Sequence, residues 1–206
     1  MRYRRWLLLL EMVLLFVLPP LLILTQILPP WFIIPGLWIL TFYAIGILRL
    51  ANVPLFENSS WGNRKMLGRF ATISIIGFTL LFLINFTYLF ELIDKNVWAW
   101  LAVMIFYPLF SALPQEILYR RFFFFRYRYV VDHRWLFWAS ALLFAYAHLP
   151  YANEIALFGS FVGGMFFTQS YLATRSVKAA WLEHSLYGMV IFTSGLGHYF
   201  YHGNIG

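Results

Sequence analysis

The sequence predicts an all-α, polytopic transmembrane helical bundle of about seven spans, and three observations predict it. Of 206 residues, 62% are hydrophobic and 22% aromatic, while 11% are charged; a soluble domain carries about 25% charged residues. The apolar residues come in runs long enough for spanning helices, which need about 20 residues each. They lack the period-two alternation of a membrane barrel. The basic residues gather in short stretches between the runs, as helical membrane topology requires.

Spans are expected at 6–27, 31–50, 70–90, 97–125, 135–149, 155–174 and 179–196. The first follows a basic start, Arg2, Arg4 and Arg5, and resembles a signal peptide. Pro19-Pro20 and Gln26 follow it rather than a small-residue cleavage site, so it is read as a retained helix. Pro29-Pro30 and Pro150 separate neighbouring spans. Residues 52–68 form the one long polar loop. The fourth apolar stretch is too long for a simple span, because 97–128 as one helix would extend about 48 Å. A kink or break near Pro114 is expected there, with a helix over 115–129 beyond it. Residues 1–206 are read as a single transmembrane domain.

The charge distribution sets the expected orientation. With the N-terminus in the cytoplasm, one side holds Arg2, Arg4, Arg5, Arg49, Arg64, Lys65, Arg69, Arg126, Arg128, Arg134, Arg175 and Lys178, and the opposite side holds Lys95. The net charge of +7 is therefore a topology signal, and no nucleic-acid partner is expected. Trp6, Trp31, Trp98, Trp135 and Trp181 fall near span ends, as an interfacial belt would. The chain has no cysteine, which excludes disulfides, thiolate metal sites and a cysteine nucleophile.

Ionisable residues inside a membrane are costly and mark candidate functional sites. Glu116 and Arg120 stand four apart, on one helix face, where they can pair. His148 and His184 lie in two later apolar segments. On a helical path Glu116 is about 15 Å from the basic boundary, His148 about 21 Å and His184 about 9 Å, depths compatible with one cluster. Amide hydrolysis needs a base for water, donors for the oxyanion and an acid for the leaving amine. A buried carboxylate and two imidazoles are residue types suited to that work. Each also has a structural reading, as an ion pair or a hydrogen-bonded core histidine. Arg121, Arg126 and Arg128 are read as interfacial anchors, Phe122 to Phe125 as packing or lipid-facing surface, and His133, His198 and His202 as solvated. Glu11 is given no role. Gly159, Gly163 and Gly164 suggest a close-packing helix face.

In order, Gln115-Glu116-x-x-x-Arg120, Phe144-x-x-x-His148 and His184 resemble the motifs of the intramembrane glutamic-type proteases that include the CAAX prenyl proteases and bacteriocin-processing or immunity proteins (the CPBP group). That family carries Glu-Glu-x-x-x-Arg, Phe-x-x-x-His and a further His, often with Asn four residues on. The resemblance covers about 97–197. It departs at Gln115, where the family has its first Glu, and at Gly188, where Asn is often found. It implies an intramembrane peptidase acting on membrane-associated peptide or protein substrates, with the bilayer as its surroundings. Glu116 is expected as acid/base, His148 as the group that orients water, His184 as oxyanion donor, Arg120 as the clamp on Glu116 and Gln115 as a polar positioning group. Ser185 or Tyr187 would replace the donor missing at Gly188, and Glu183 would offer a second acid. The alternative is a catalytically inactive relative serving as a membrane binding or scaffold protein. No cofactor is expected. A zinc ion, were one bound, would use His148 and His184, fewer than the three protein ligands catalytic zinc takes. Small size and the resemblance point to a bacterial inner membrane.

Overall fold

The computed structural model describes residues 2–57, 61–84 and 89–200, the first three of these and Ile84 by backbone only. The described residues are helical throughout the apolar runs, joined by turns. Five helices are long and apolar enough to cross a membrane: α1 (Arg5–Leu24), α2 (Pro30–Leu50), α3 (Arg64–Leu83), α5 (Val97–Tyr127) and α7 (Glu154–Thr174). A short α4 (Glu91–Lys95) precedes α5. Two further helices, α6 (His133–Tyr146) and α8 (Val177–Thr193), have 14 and 17 residues. They lie on the two remaining expected spans and extend about 21 and 26 Å, short of a ~30 Å hydrocarbon core.

Local chemistry sets the helix starts. Asn96, Asp132 and Asn153 each accept a hydrogen bond from a first-turn amide, those of Ala99, Arg134 and Ala156 at 2.9, 2.9 and 2.7 Å. Asn63 does the same for Met66 at 2.8 Å. That cap starts α3 six residues before the expected span, which places Arg69 inside the helix rather than in the loop.

Of the kink or break expected near Pro114, α5 shows no break. Its backbone is helical without interruption from Val97 to Tyr127, but it contains two π-helical turns, Pro108–Ala112 and Ile117–Phe122. Proline removes a donor and crowds the preceding turn, and a widened turn relieves that crowding. Side chains from other helices take up carbonyls along this stretch. Trp181 Nε1 donates to Pro108 O (2.7 Å), Trp38 Nε1 to Phe110 O (3.1 Å) and Thr41 Oγ1 to Pro114 O (3.3 Å). In lipid such carbonyls cannot be left to water. Trp181 is thus a packing residue, whereas Trp6, Trp31, Trp98 and Trp135 are exposed as an interfacial belt requires. α1 uses the same device, a π turn at Val13–Val17 ahead of Pro19-Pro20.

α5 and α8 form the centre. α8 packs against α3, α4, α5 and α7, α7 lies along α6, and α2 covers the second half of α5. The core is aromatic: Phe16, Phe122, Phe123 and Tyr127 have no exposed surface and meet mostly edge to face. Phe122 to Phe125 are therefore packing residues, two fully and two partly buried.

Polar residues read as anchors or left unassigned prove to be paired. Arg126 makes a two-pronged contact with Glu11, at 2.7 and 3.1 Å, and Tyr43 donates to the same carboxylate at 3.1 Å. Arg121 binds Glu57 and the carbonyl of Pro54. Arg128 lies over the Phe125 and Tyr129 rings. His133 and His198 are exposed, with His198 Nδ1 2.7 Å from Gly195 O; His202 lies outside the described residues.

The close approach expected of the glycine face falls at Gly164. A Cβ there would meet the Cα and O of Ala141, across the α6–α7 contact, at 3.2 Å. Backbone cannot yield as a side chain can. Gly164→Val is expected to destabilise the fold by about 1–3 kcal/mol, seen as a lower thermal unfolding midpoint in detergent. The same change at Gly77, which has open space around it, is expected to be far milder.

Candidate active site

The first charged residues of the motif sit at zero exposure. Glu116 and Arg120 both lie on α5 with no exposed surface, and Arg120 Nε stands 3.1 Å from Glu116 Oε2. The Nε–H does not point along that line, so the contact is an ion pair rather than an aligned hydrogen bond. The rest of the guanidinium is held by other elements. It donates to Ser140 Oγ on α6 at 2.9 Å and to Gly164 O on α7 at 3.3 Å, and its face lies 5.0 Å from the centre of the Phe144 ring. Ser140 Oγ in turn donates to Tyr119 O, and Thr168 Oγ1 to Gly164 O. One arginine thereby ties three helices together.

The other oxygen of Glu116 accepts a hydrogen bond from His184 Nδ1 on α8, at 2.8 Å. The ring of His184 is clamped by aromatics. It stacks on Phe167 at 4.5 Å and meets Phe144 and Tyr107 edge to face at 5.4 and 5.9 Å. With a proton on Nδ1 shared toward the carboxylate, Nε2 on the far edge of the ring is an acceptor.

His148 follows the C-terminal end of α6. Its Nδ1 donates to Phe144 O, four residues back, at 2.8 Å, which again leaves Nε2 as the acceptor. Its ring leans on Phe144 at 4.9 Å. Phe144 thus touches both imidazoles and the guanidinium, which accounts physically for an aromatic four residues before the histidine.

Both histidines line a cavity of about 830 Å³, together with Gln115, Tyr107, Tyr151 and Gly188. Its other walls, from α2, α3, α5, α7 and α8, are mostly apolar, with Ile33, Ile73, Phe78, Ala102 and Phe158 among them and a few serines between. Among the described residues lining it there is no Asp, Glu, Lys or Arg. Glu116 is therefore behind the wall, reaching the cavity through His184, while Gln115 stands on it. Gln115 Nε2 donates to Ser111 Oγ at 2.9 Å, and its Oε1 is buried without a hydrogen-bond partner among the described residues.

Of the other expected participants, Tyr187 lines the cavity with its hydroxyl buried, while Glu183 and Ser185 lie elsewhere. Glu183 has no exposed surface but faces α3, where Arg69 grips both its oxygens at 2.7 and 2.9 Å and Ser170 Oγ donates at 2.6 Å. Arg69 also lies over the Phe166 ring and donates to the Phe166 carbonyl. Ser185 is buried away from the cavity. Arg69 and Tyr107 were not singled out by sequence. The signal for Arg69 was its spacing from the Asn63 cap; a lone tyrosine in an aromatic-rich run offers none.

The donor set suits a metal poorly. No group of three His, Asp or Glu among the described residues could hold an ion. A catalytic zinc takes about three protein ligands.

An all-helical membrane protein with a carboxylate–imidazole pair and a second imidazole on an apolar cavity has the parts of a buried hydrolytic site. Residues 96–190 match the family model described as type II CAAX prenyl endopeptidase Rce1-like, and the matched stretch holds Glu116, Arg120, His148 and His184. The match covers just under half of the chain. No curated protein and no solved structure matches the chain.

Removing one member of a buried ion pair leaves the other charge uncompensated, at a cost of about 3–5 kcal/mol. Arg120→Met is expected to lower the yield and melting temperature of detergent-solubilised protein sharply. Arg120→Met combined with Glu116→Leu should recover much of that loss, a non-additivity that a double-mutant cycle measures directly.

Proposed function

We propose that this protein is an intramembrane endopeptidase, hydrolysing a peptide bond of a membrane-associated substrate within the apolar cavity. The observation that carries this reading is the 2.8 Å hydrogen bond between Glu116 and His184 on the cavity wall. A carboxylate that holds one imidazole nitrogen orients the ring and stabilises the cation it becomes. In this reading His184, expected from the sequence as oxyanion donor, is the base that meets water, and Glu116 acts through it.

The reaction is as follows. His184 Nε2 takes one proton from a water while the water oxygen adds to the substrate carbonyl carbon. Glu116 stabilises the resulting imidazolium, and Arg120 holds Glu116 in place. His148 Nε2 accepts the second water hydrogen and so aims the oxygen. The tetrahedral adduct then collapses: its C–N bond breaks, and His184 returns the proton to the departing amine nitrogen. The other product is a carboxylic acid, which ionises. Gln115 holds the polar corner of the cavity through Ser111.

The same reading takes α6 and α8 as membrane-crossing segments, which gives seven spans. The one-sided basic residues support a cytoplasmic N-terminus, and a bacterial inner membrane is the proposed location. The matching family is described as a CAAX prenyl endopeptidase, so prenylated CAAX peptides are the first substrates to try.

Hydrolysis of a farnesylated CAAX peptide by protein in lipid nanodiscs tests the proposal. Glu116→Gln is expected to cut turnover about 10²- to 10⁴-fold, and His184→Ala and His148→Ala to abolish it, with folding checked by gel filtration. Gln115→Glu is expected to be neutral or harmful in an enzyme adapted to glutamine. Equal turnover in wild type, Glu116→Gln and His148→Ala sinks the hydrolase reading.

A further inference from the structure

Resting on that reading, we infer that Tyr107 is a catalytic residue: its phenolic hydroxyl donates the hydrogen bond that stabilises the oxyanion. The mechanism above requires a donor for the carbonyl oxygen as it becomes negative, and the neutral imidazoles present acceptors, not donors, to the cavity. Arg120 and Arg69 are turned into the protein, and the Gln115 amide nitrogen is engaged by Ser111. Ser185 is not on the wall, and Tyr187 is on it with its hydroxyl oxygen buried.

Tyr107 is on the wall and next to the base. Its ring meets the His184 imidazole edge to face at 5.9 Å, and its hydroxyl makes no hydrogen bond to the described residues. The ring fills the space over Gly188, one helical turn after His184. A Cβ at Gly188 would overlap the ring, with the tyrosine hydroxyl oxygen 2.6 Å away. The phenol thus occupies the place a side chain at position 188 would take, and no side chain fits there while it does. Glycine at 188 and tyrosine at 107 are one fitted pair, contributed by α8 and α5. The pair is held in register by the adjoining residue: Trp181 of α8 donates to the carbonyl of Pro108 at 2.7 Å. Phe192 meets the Tyr107 ring edge to face at 5.4 Å.

The hydroxyl undergoes no bond change in this role. It donates to the substrate carbonyl oxygen weakly in the ground state and strongly as that oxygen gains charge, and it relaxes when the carbonyl re-forms. Such a donor raises kcat rather than ground-state binding.

Tyr107→Phe deletes the hydroxyl and keeps the ring that fills the Gly188 space. Two measurements on nanodisc protein decide the matter: steady-state cleavage of the farnesylated peptide, and binding of the same peptide with a phosphinate in place of the scissile amide. We expect kcat to fall about 10²- to 10³-fold with KM little changed, and the phosphinate to lose a comparable share of its advantage over the amide peptide. Tyr107→Ala with Gly188→Asn, which makes room for an amide donor, should regain part of what Tyr107→Ala loses. Unchanged kcat and phosphinate affinity in Tyr107→Phe overturn the role of Tyr107 while leaving the hydrolase standing. A wild type that neither cleaves nor prefers the phosphinate overturns both.

Discussion

A carboxylate and a guanidinium with no exposed surface, in a chain made for lipid, set the terms for the rest of this structure. Either charge alone would be prohibitive there. Together they still need every remaining donor met, because desolvation of an ion pair can exceed its Coulomb gain. Arg120 satisfies this by reaching α6 and α7 as well as Glu116, so the pair holds only if those helices are in place. Glu116 passes the constraint on to His184. The position of the imidazole on the cavity wall is thereby a consequence of how four helices pack, not of a flexible side chain.

A second buried charge pair sits one residue away in sequence and on another face of the same helix. Glu183 is held by Arg69 of α3, whose further residues Ile73 and Phe78 line the cavity. α8 is gripped from two sides, by Arg69 of α3 at Glu183 and by Glu116 of α5 at His184, and its rotation about its own axis is fixed by these two independent contacts. This matters because a helical residue moves through about 100° per position. A small rotation would turn His184 off the wall.

That angular sensitivity also explains what could be read in the chain beforehand. Polar residues in apolar runs are visible whatever the fold, so Glu116, Arg120, His148 and His184 stood out. Their depths along each helix were compatible with one cluster. What spacing does not convey is which of two adjacent residues faces a cavity. Gln115 is on the wall and Glu116 behind it because α5 contains π turns that shift its phase, and nothing in the period of apolar residues announces such turns. Arg69 was hidden by the late start assumed for α3, since the Asn63 cap lies in a polar stretch that reads as loop. Tyr107 was hidden by composition: among so many aromatics, only its fit over Gly188 distinguishes it.

The π turns of α5 have a consequence for how relatives of this chain are compared. Each wide turn accommodates one residue more than an α turn would. Removing a single residue from Pro108–Ala112 would restore ordinary helix while leaving both flanking stretches where they are. Length differences between homologues should therefore fall in the middle of this helix, between Tyr107 and Glu116. An alignment that permits gaps in loops alone would pair the wrong residues on one side or the other.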